Sequence, residues 1–246
     1  MLVSMTVIAV LISILLPSIG GIQESARRVV CQSNVRQIGL GIVMFADDHQ
    51  GHLPASQFLN ESRYGPREAP APQNMLTLRV ASDQRWSVNE SEGWDGMGLL
   101  YHEDYLSAPK IFFCPSHRGQ YKYSEMVRQW NDPEVELTSN YHFRGAGPSR
   151  NASPGTAAPQ TFNLYNIDPG HSSLIADGMR ELSDYNHRNG VSFFRADLTV
   201  HWYSDFTGRL SELLPVDKDS ANPAEMASAV NEAWRLFDAS ANADGH

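Results

Sequence analysis

The first 22 residues contain no Asp, Glu, Lys, Arg or His, so nothing in that stretch requires water. The chain as a whole is short of basic residues, with 19 Lys and Arg against 28 Asp and Glu and a net charge of −9. The 19 are scattered, which excludes the clustered positive face that phosphate backbones require; no nucleic-acid partner is expected. Cysteine is scarce too. Cys31 and Cys114 are the only two, and without CxxC spacing they make no zinc site on their own. There is no His-Glu-x-x-His, no Gly-x-Ser-x-Gly and no phosphate-binding glycine loop, so the sequence offers no recognisable enzyme chemistry. No internal repeat of 20 to 50 residues is visible.

What is present is the apolar run itself, "MLVSMTVIAVLISILLPSIGGI". As a helix it is about 33 Å long, the thickness of a bilayer's hydrocarbon core. A single membrane span competes with two other readings. A secretory signal peptide needs a basic leader and a small-x-small cleavage site, whereas the first basic residue is Arg27. A buried core helix of this length normally keeps a polar face. Arg27 and Arg28 follow the run, and the positive-inside tendency alone would put the rest of the chain in the cytoplasm. The helical pattern continues past Pro17 to about Asp48. Ile22, Ala26, Val29, Val30, Val35, Ile38, Ile42 and Phe45 are read as the apolar face, and Gln23, Arg27, Arg28, Gln32, Arg36 and Gln37 as the polar one. Pro17 and Gly20-Gly21 predict a kink, and "HQGHLP" predicts the helix end, with Gly51 in the left-handed cap.

"VSMTVIAVLISILLP" followed by "ESARRVVCQSNVRQIGLGIVMFADDHQGHLP" resembles the N-terminal segment of type IV prepilins and type II secretion pseudopilins. In that family a basic leader ends in Gly, cleavage exposes an N-methylated Phe, and a glutamate precedes the apolar run. Aligned on Pro17, Met1 falls just after that glutamate. The resemblance therefore implies a leader and cleavage site ahead of Met1 in a longer native chain, and no processing residue is assigned here. It also implies a single-pass protein of the bacterial inner (cytoplasmic) membrane with its head in the periplasm or outside the cell.

The organisation expected is a transmembrane half-helix over 1–22, an amphipathic half over 23–50 and a head over 51–246. With 41% hydrophobic and 10% aromatic residues, the head can bury a sizeable core. A surface loop is read over 54–93, with a strand at 76–80. A short helix is expected at 97–105, and strands at 111–114, 139–144, 172–176, 191–195 and 199–203. "GAGPSRNASPGTAAPQ" reads as a flexible loop, and Asn222-Pro223 opens a last amphipathic helix through Met226, Val230, Trp234 and Phe237, before a disordered "NADGH".

The segment "NHRNGVSFFRADLTVHWYSD" resembles the C-terminal signature of a large prepilin-like family of planctomycete-type bacteria, in which Asp-Gly follows a His at nine-residue spacing. His187 and Asp197 keep the spacing, but Leu198 replaces the glycine that would favour a positive φ. "CQSNVRQIGLG" and "GLLYHEDYLSAPKIFFCPS" extend the likeness to both ends and the middle. His171, Asp177, His187, Asp197, His201 and Asp205 gather in the C-terminal third, and structural hydrogen bonds bracing the hairpin are expected of them. A calcium ion at Asp177 or Asp197 stays open, since some secretion pseudopilins use carboxylates this way and a hard cation takes oxygen ligands. A Cys31–Cys114 disulfide would close a loop of about 83 residues and contribute about 4 kcal/mol; two buried thiols are the other reading.

The fold class expected is α+β and pilin-like, a long N-terminal helix packed on an antiparallel sheet. The resemblance implies a structural, non-enzymatic filament subunit without a cofactor of its own. Its partners would be other pseudopilin subunits, a prepilin peptidase, the secretion or pilus assembly machinery and membrane lipid. A membrane-tethered binding module that does not polymerise is the alternative, and an anchored metal-dependent hydrolase is a third.

Overall fold

The computed structural model describes residues 2–59, 70–85, 91–151, 159–187, 189–217 and 219–240, and within 2–19 it describes the side chains of Met5 and Leu11 alone. Helix α1 spans Leu2–Asp48 without interruption through Pro17 and Gly20-Gly21. It closes within a residue of where the sequence places the cap. The left-handed cap itself is Gln50, at φ +58°, one residue before the expected Gly51; Gly51 follows at φ +86° and its N–H donates to Ala46 O at 2.7 Å, the six-to-one bond of a Schellman end. The stretch Gly20–Asp48 is long and apolar enough to cross a membrane, yet half of its most apolar 18-residue window is buried within the protein.

The head follows as strand β1 (Thr77–Arg79), helix α2 (Gly98–His102), helix α3 (Tyr123–Met126) and strands β2 (Leu137–Thr138), β3 (Tyr141–Phe143), β4 (Gly147–Pro148) and β5 (Gln160–Thr161). Strands β6 (Ser173–Asp177), β7 (Gly190–Arg195) and β8 (Val200–Ser204) and helix α4 (Pro223–Ser240) complete it. The main sheet is antiparallel in the order β3-β6-β7-β8. Strands β1 and β2 pair separately, as do β4 and β5.

Alternation along the central strands divides the core into two layers. Ile175 and Phe194 face α1, joining Val35, Ile38, Ile42, Phe45, Leu100, Phe112, Tyr141 and Phe143. Ala176, Val191 and Phe193 face α4 and meet Val230, Trp234 and Phe237. The sheet thus lies between the two long helices, an α+β architecture. Helix α1 rests on β7 at Gly39, where a Cβ would stand 2.5 Å from the Phe194 ring; only a residue without a side chain lets the backbone sit that low. Helix α4 begins with a reciprocal cap: Asn222 Oδ1 accepts from the Ala224 and Glu225 N–H groups at 3.0 Å, and Glu225 accepts from the Asn222 N–H at 3.0 Å.

Four sequence expectations need correction. Residues 109–112 form a 3-10 turn, Pro109–Phe112, in place of a strand, because Pro109 fixes a helical φ and supplies no ladder donor. The segment 54–93 is no simple surface loop, since Ala55, Ser56, Gln57, Phe58, Met75, Leu76, Leu78 and Val80 are buried; residues 60–69 and 86–90 lie outside the described set. The apolar face of α1 also changes side. Cys31, Val35, Ile38, Ile42 and Phe45 are buried, while Ile22 at 67% and Val29 at 65% are exposed. The flexible loop expected over 145–160 instead carries β4 and the start of β5, which pair with each other; residues 152–158 and the tail "NADGH" lie outside the described residues.

Candidate functional site

Where α1 meets one end of the sheet, four side chains from four places in the chain converge. Cys31 comes from α1, and Cys114 follows the Pro109–Phe112 turn. Asp177 ends β6, and His187 stands just before β7. Antiparallel pairing brings the end of β6 and the start of β7 to the same end of the sheet. All four residues are buried, and one donor atom from each lies within 4.8 Å of the others.

Their contacts are specific. The Cys31 thiol donates to Asp177 Oδ1 at 3.0 Å. Cys114 Sγ lies 3.6 Å from His187 Nε2. His187 Nδ1 is 2.7 Å from Glu24 Oε1, and Glu24 sits two turns before Cys31 on the same helix. The Ser192 N–H donates to Asp177 Oδ2 at 2.7 Å, and Asn186 Nδ2 donates to Oδ1 at 3.2 Å. The Tyr141 hydroxyl reaches Cys31 Sγ at 3.5 Å and accepts from Asn34 Nδ2 at 3.2 Å.

The electrostatics separate the two thiols. Burial pushes the Cys31 thiol well up, reinforced by the neighbouring Cys114 sulfur and the Asp177 charge. Burial acts the same way on Cys114, but hydrogen bonds from Cys31 and His187 outweigh it and its thiol is lowered. Burial opposes a charge on His187 as well; the Cys114 sulfur, Asp177 and Glu24 prevail and raise the imidazole to about 9. The cluster can hold a thiolate–imidazolium pair, or it can offer two sulfurs, a nitrogen and a carboxylate oxygen to one ion.

All four residues are among those the sequence singles out, but not as one set. The structure holds Cys31 and Cys114 as buried free thiols next to each other. His187 and Asp197 sit at opposite ends of β7. Asp197 is exposed in the β7–β8 turn, where it accepts from the Thr199 N–H at 3.0 Å, and Leu198 takes the positive φ of 71° that a glycine would adopt. Asp205 caps the next turn through the Leu210 and Ser211 N–H groups at 2.9 Å. His171 pairs with Asp168 at 3.2 Å, and His201 stacks on Phe193. Pro17 lies within α1, and its side chain is outside the described set. Asp177 alone of the C-terminal polar group joins His187. Its surroundings, two sulfurs and an imidazole, differ from the oxygen shell calcium needs. Glu24, Tyr141, Asn34 and Asn186 escaped the sequence reading. The available signal was Glu24, the first carboxylate after the apolar run, at helical spacing from Cys31.

The model of the family described as "Protein of unknown function (DUF1559)", also called SBP_bac_10, matches residues 21–185, more than half of the chain. The chain belongs to the DUF1559 family. The match covers Cys31, Cys114 and Asp177 and stops two residues short of His187. No curated protein matches the chain significantly, and no solved structure does.

Proposed function

We propose that this protein is a structural, pseudopilin-like subunit of a type II secretion or type IV pilus-like filament, anchored in the bacterial inner membrane by the first half of α1, with its head on the outer side. The observation that carries this reading is a second stripe on α1. Ile22, Ala26, Val29, Ser33, Gln37, Leu40 and Met44 are all exposed and recur every three or four residues. They lie on the side opposite Cys31, Val35, Ile38, Ile42 and Phe45, which enter the core. A helix of a self-sufficient globular protein keeps its outer face polar. This one carries Ile22, Val29, Leu40 and Met44 there, in line with an apolar segment that already runs to the N-terminus.

The partner chemistry that fits is another helix of the same kind. Helices held in lipid associate by close packing of small and apolar side chains, and head-to-tail contacts that do not close into a ring build a filament. A prepilin peptidase, related subunits and an assembly machinery are the partners implied, and no catalytic role is assigned. The test is fractionation of the protein expressed from its natural gene. It should sediment with the inner membrane and be recovered, after mechanical shearing, in a filament fraction with other pilin-like subunits. A wholly soluble monomer without detergent would overturn the reading.

A further inference from the structure

We propose that Cys31, Cys114, Asp177 and His187 bind one zinc(II) ion, and that this ion fastens the anchor helix to the head. The donor atoms of all four lie within 4.8 Å of one another, in buried side chains. Tetrahedral zinc with a thiolate at about 2.3 Å and an imidazole at about 2.0 Å separates the two by about 3.6 Å, the distance between Cys114 Sγ and His187 Nε2. The Cys31 Sγ to Asp177 Oδ1 contact of 3.0 Å would open by about half an ångström to admit the ion.

The surroundings are those of a ligand set. His187 presents Nε2 to the sulfurs because Nδ1 is committed to Glu24 at 2.7 Å, the carboxylate–histidine arrangement that fixes a metal-binding tautomer. The Ser192 N–H and Asn186 Nδ2 hold the Asp177 carboxylate in place. Two sulfurs, one nitrogen and one oxygen suit a borderline ion and not calcium or magnesium, which take oxygen shells. Four protein ligands leave no open position, so the ion is structural. On binding, the protons held by the thiols and by the imidazolium leave to solvent, so that zinc takes two thiolates and a neutral imidazole.

The position gives the ion its role. Among the described residues, Cys31 is the first buried side chain along α1; everything described before it is exposed or half-buried. The site therefore lies where the helix leaves the head, the point at which a load on the anchor would peel the two apart.

The test uses the full chain in mild detergent, purified through a tag that does not chelate metal. Elemental analysis should find about one zinc per chain. After the zinc is stripped and replaced by cobalt(II), thiolate-to-cobalt charge transfer and the visible bands of tetrahedral cobalt should appear. Cys31→Ser should abolish the charge-transfer pattern of two thiolates, and Glu24→Gln should keep the spectrum while weakening zinc affinity about 10- to 100-fold. The wild-type metal content and cobalt spectrum decide the matter without any variant, so a folding defect in Cys31→Ser does not blunt the test. Substoichiometric zinc with a cobalt spectrum lacking thiolate charge transfer would overturn the proposal. So would an intact mass, after alkylation in cells, showing Cys31 joined to Cys114 as a disulfide.

Discussion

His187 Nδ1 lies 2.7 Å from Glu24 Oε1 across 163 positions of the chain, and it ties the segment before β7 to the helix that carries the apolar N-terminal run. His187 is almost fully buried while Glu24 is partly open to solvent, with a side-chain exposure of 40%. The solvent weakens the ionic part, leaving mainly a hydrogen bond to a charged group. Glu24→Ala should therefore lower stability by about 1 kcal/mol in denaturant unfolding. Glu24→Gln, which keeps an acceptor, should recover part of that loss.

Leu198 holds φ +71° at the β7–β8 turn, a left-handed conformation that costs a residue with a Cβ about 1 to 2 kcal/mol. Leu198→Gly removes the cost, while the glycine's extra freedom when unfolded takes back part of the gain. A net stabilisation of about 0.5 to 1 kcal/mol is expected from the thermal midpoint. An unchanged or lowered midpoint would show that the partly exposed leucine side chain contributes more than its backbone costs. Asp197→Ala, which loses the acceptor for the Thr199 N–H, should cost about 1 kcal/mol.

His142 is fully buried on β3, with Nε2 donating to Pro72 O at 2.8 Å and Nδ1 accepting from the Met179 N–H at 3.3 Å. Burial depresses its pKa to about 3, against the carbonyl of Pro72, which favours the charged form. An unfolded chain takes up this proton below about 6.5 and the folded one does not until about 3. Its contribution is thus complete above pH 6.5 and is lost as pH falls toward 3. Stability measured across that window should decline, and the slope should flatten in His142→Gln, which keeps a donor for Pro72 and never charges.

Gly39 lets α1 rest on Phe194, with only 2.5 Å left for a Cβ. Gly39→Leu must push the helix off the sheet or displace a buried ring, and a loss of about 3 kcal/mol or more is expected. Met44→Leu, on the exposed side of the same helix, should change stability by less than about 0.5 kcal/mol.

The sequence was most legible where a local signal acts alone. Periodicity and the "HQGHLP" stop signal set the end of α1 to within a residue of its Gln50 cap, the spacing around Asp197 gave the β7–β8 hairpin, and Asn222-Pro223 marked the start of α4. It failed where tertiary packing decides. Apolar periodicity along 22–45 could not tell which of two apolar stripes enters the core, because both Val29 and Val35 follow helical spacing. The strand expected at 111–114 was an apolar run bounded by Pro109 and Pro115, equally fit to be a buried 3-10 turn. The cluster at Cys31, Cys114, Asp177 and His187 has no motif, since its members come from separate elements and only sheet pairing and helix docking bring them together. Arg28 shows the same limit. It reads as part of a solvated face, yet its guanidinium sits 3.3 Å over the Trp202 ring of β8.

The claim that α1 serves both as core helix and as filament seam is tested most directly by cross-linking in cells. Single cysteines placed at Val29, Ser33 or Leu40 of the protein expressed from its natural gene should join to copies of itself or to related subunits, because neighbouring helices must come close in a bundle. Cysteines at His171 or Phe206, exposed on the head and outside α1, should do so far less. If no position on the stripe cross-links while other pilin-like subunits of the same cell do, the filament account fails and the protein is better described as a membrane-tethered module.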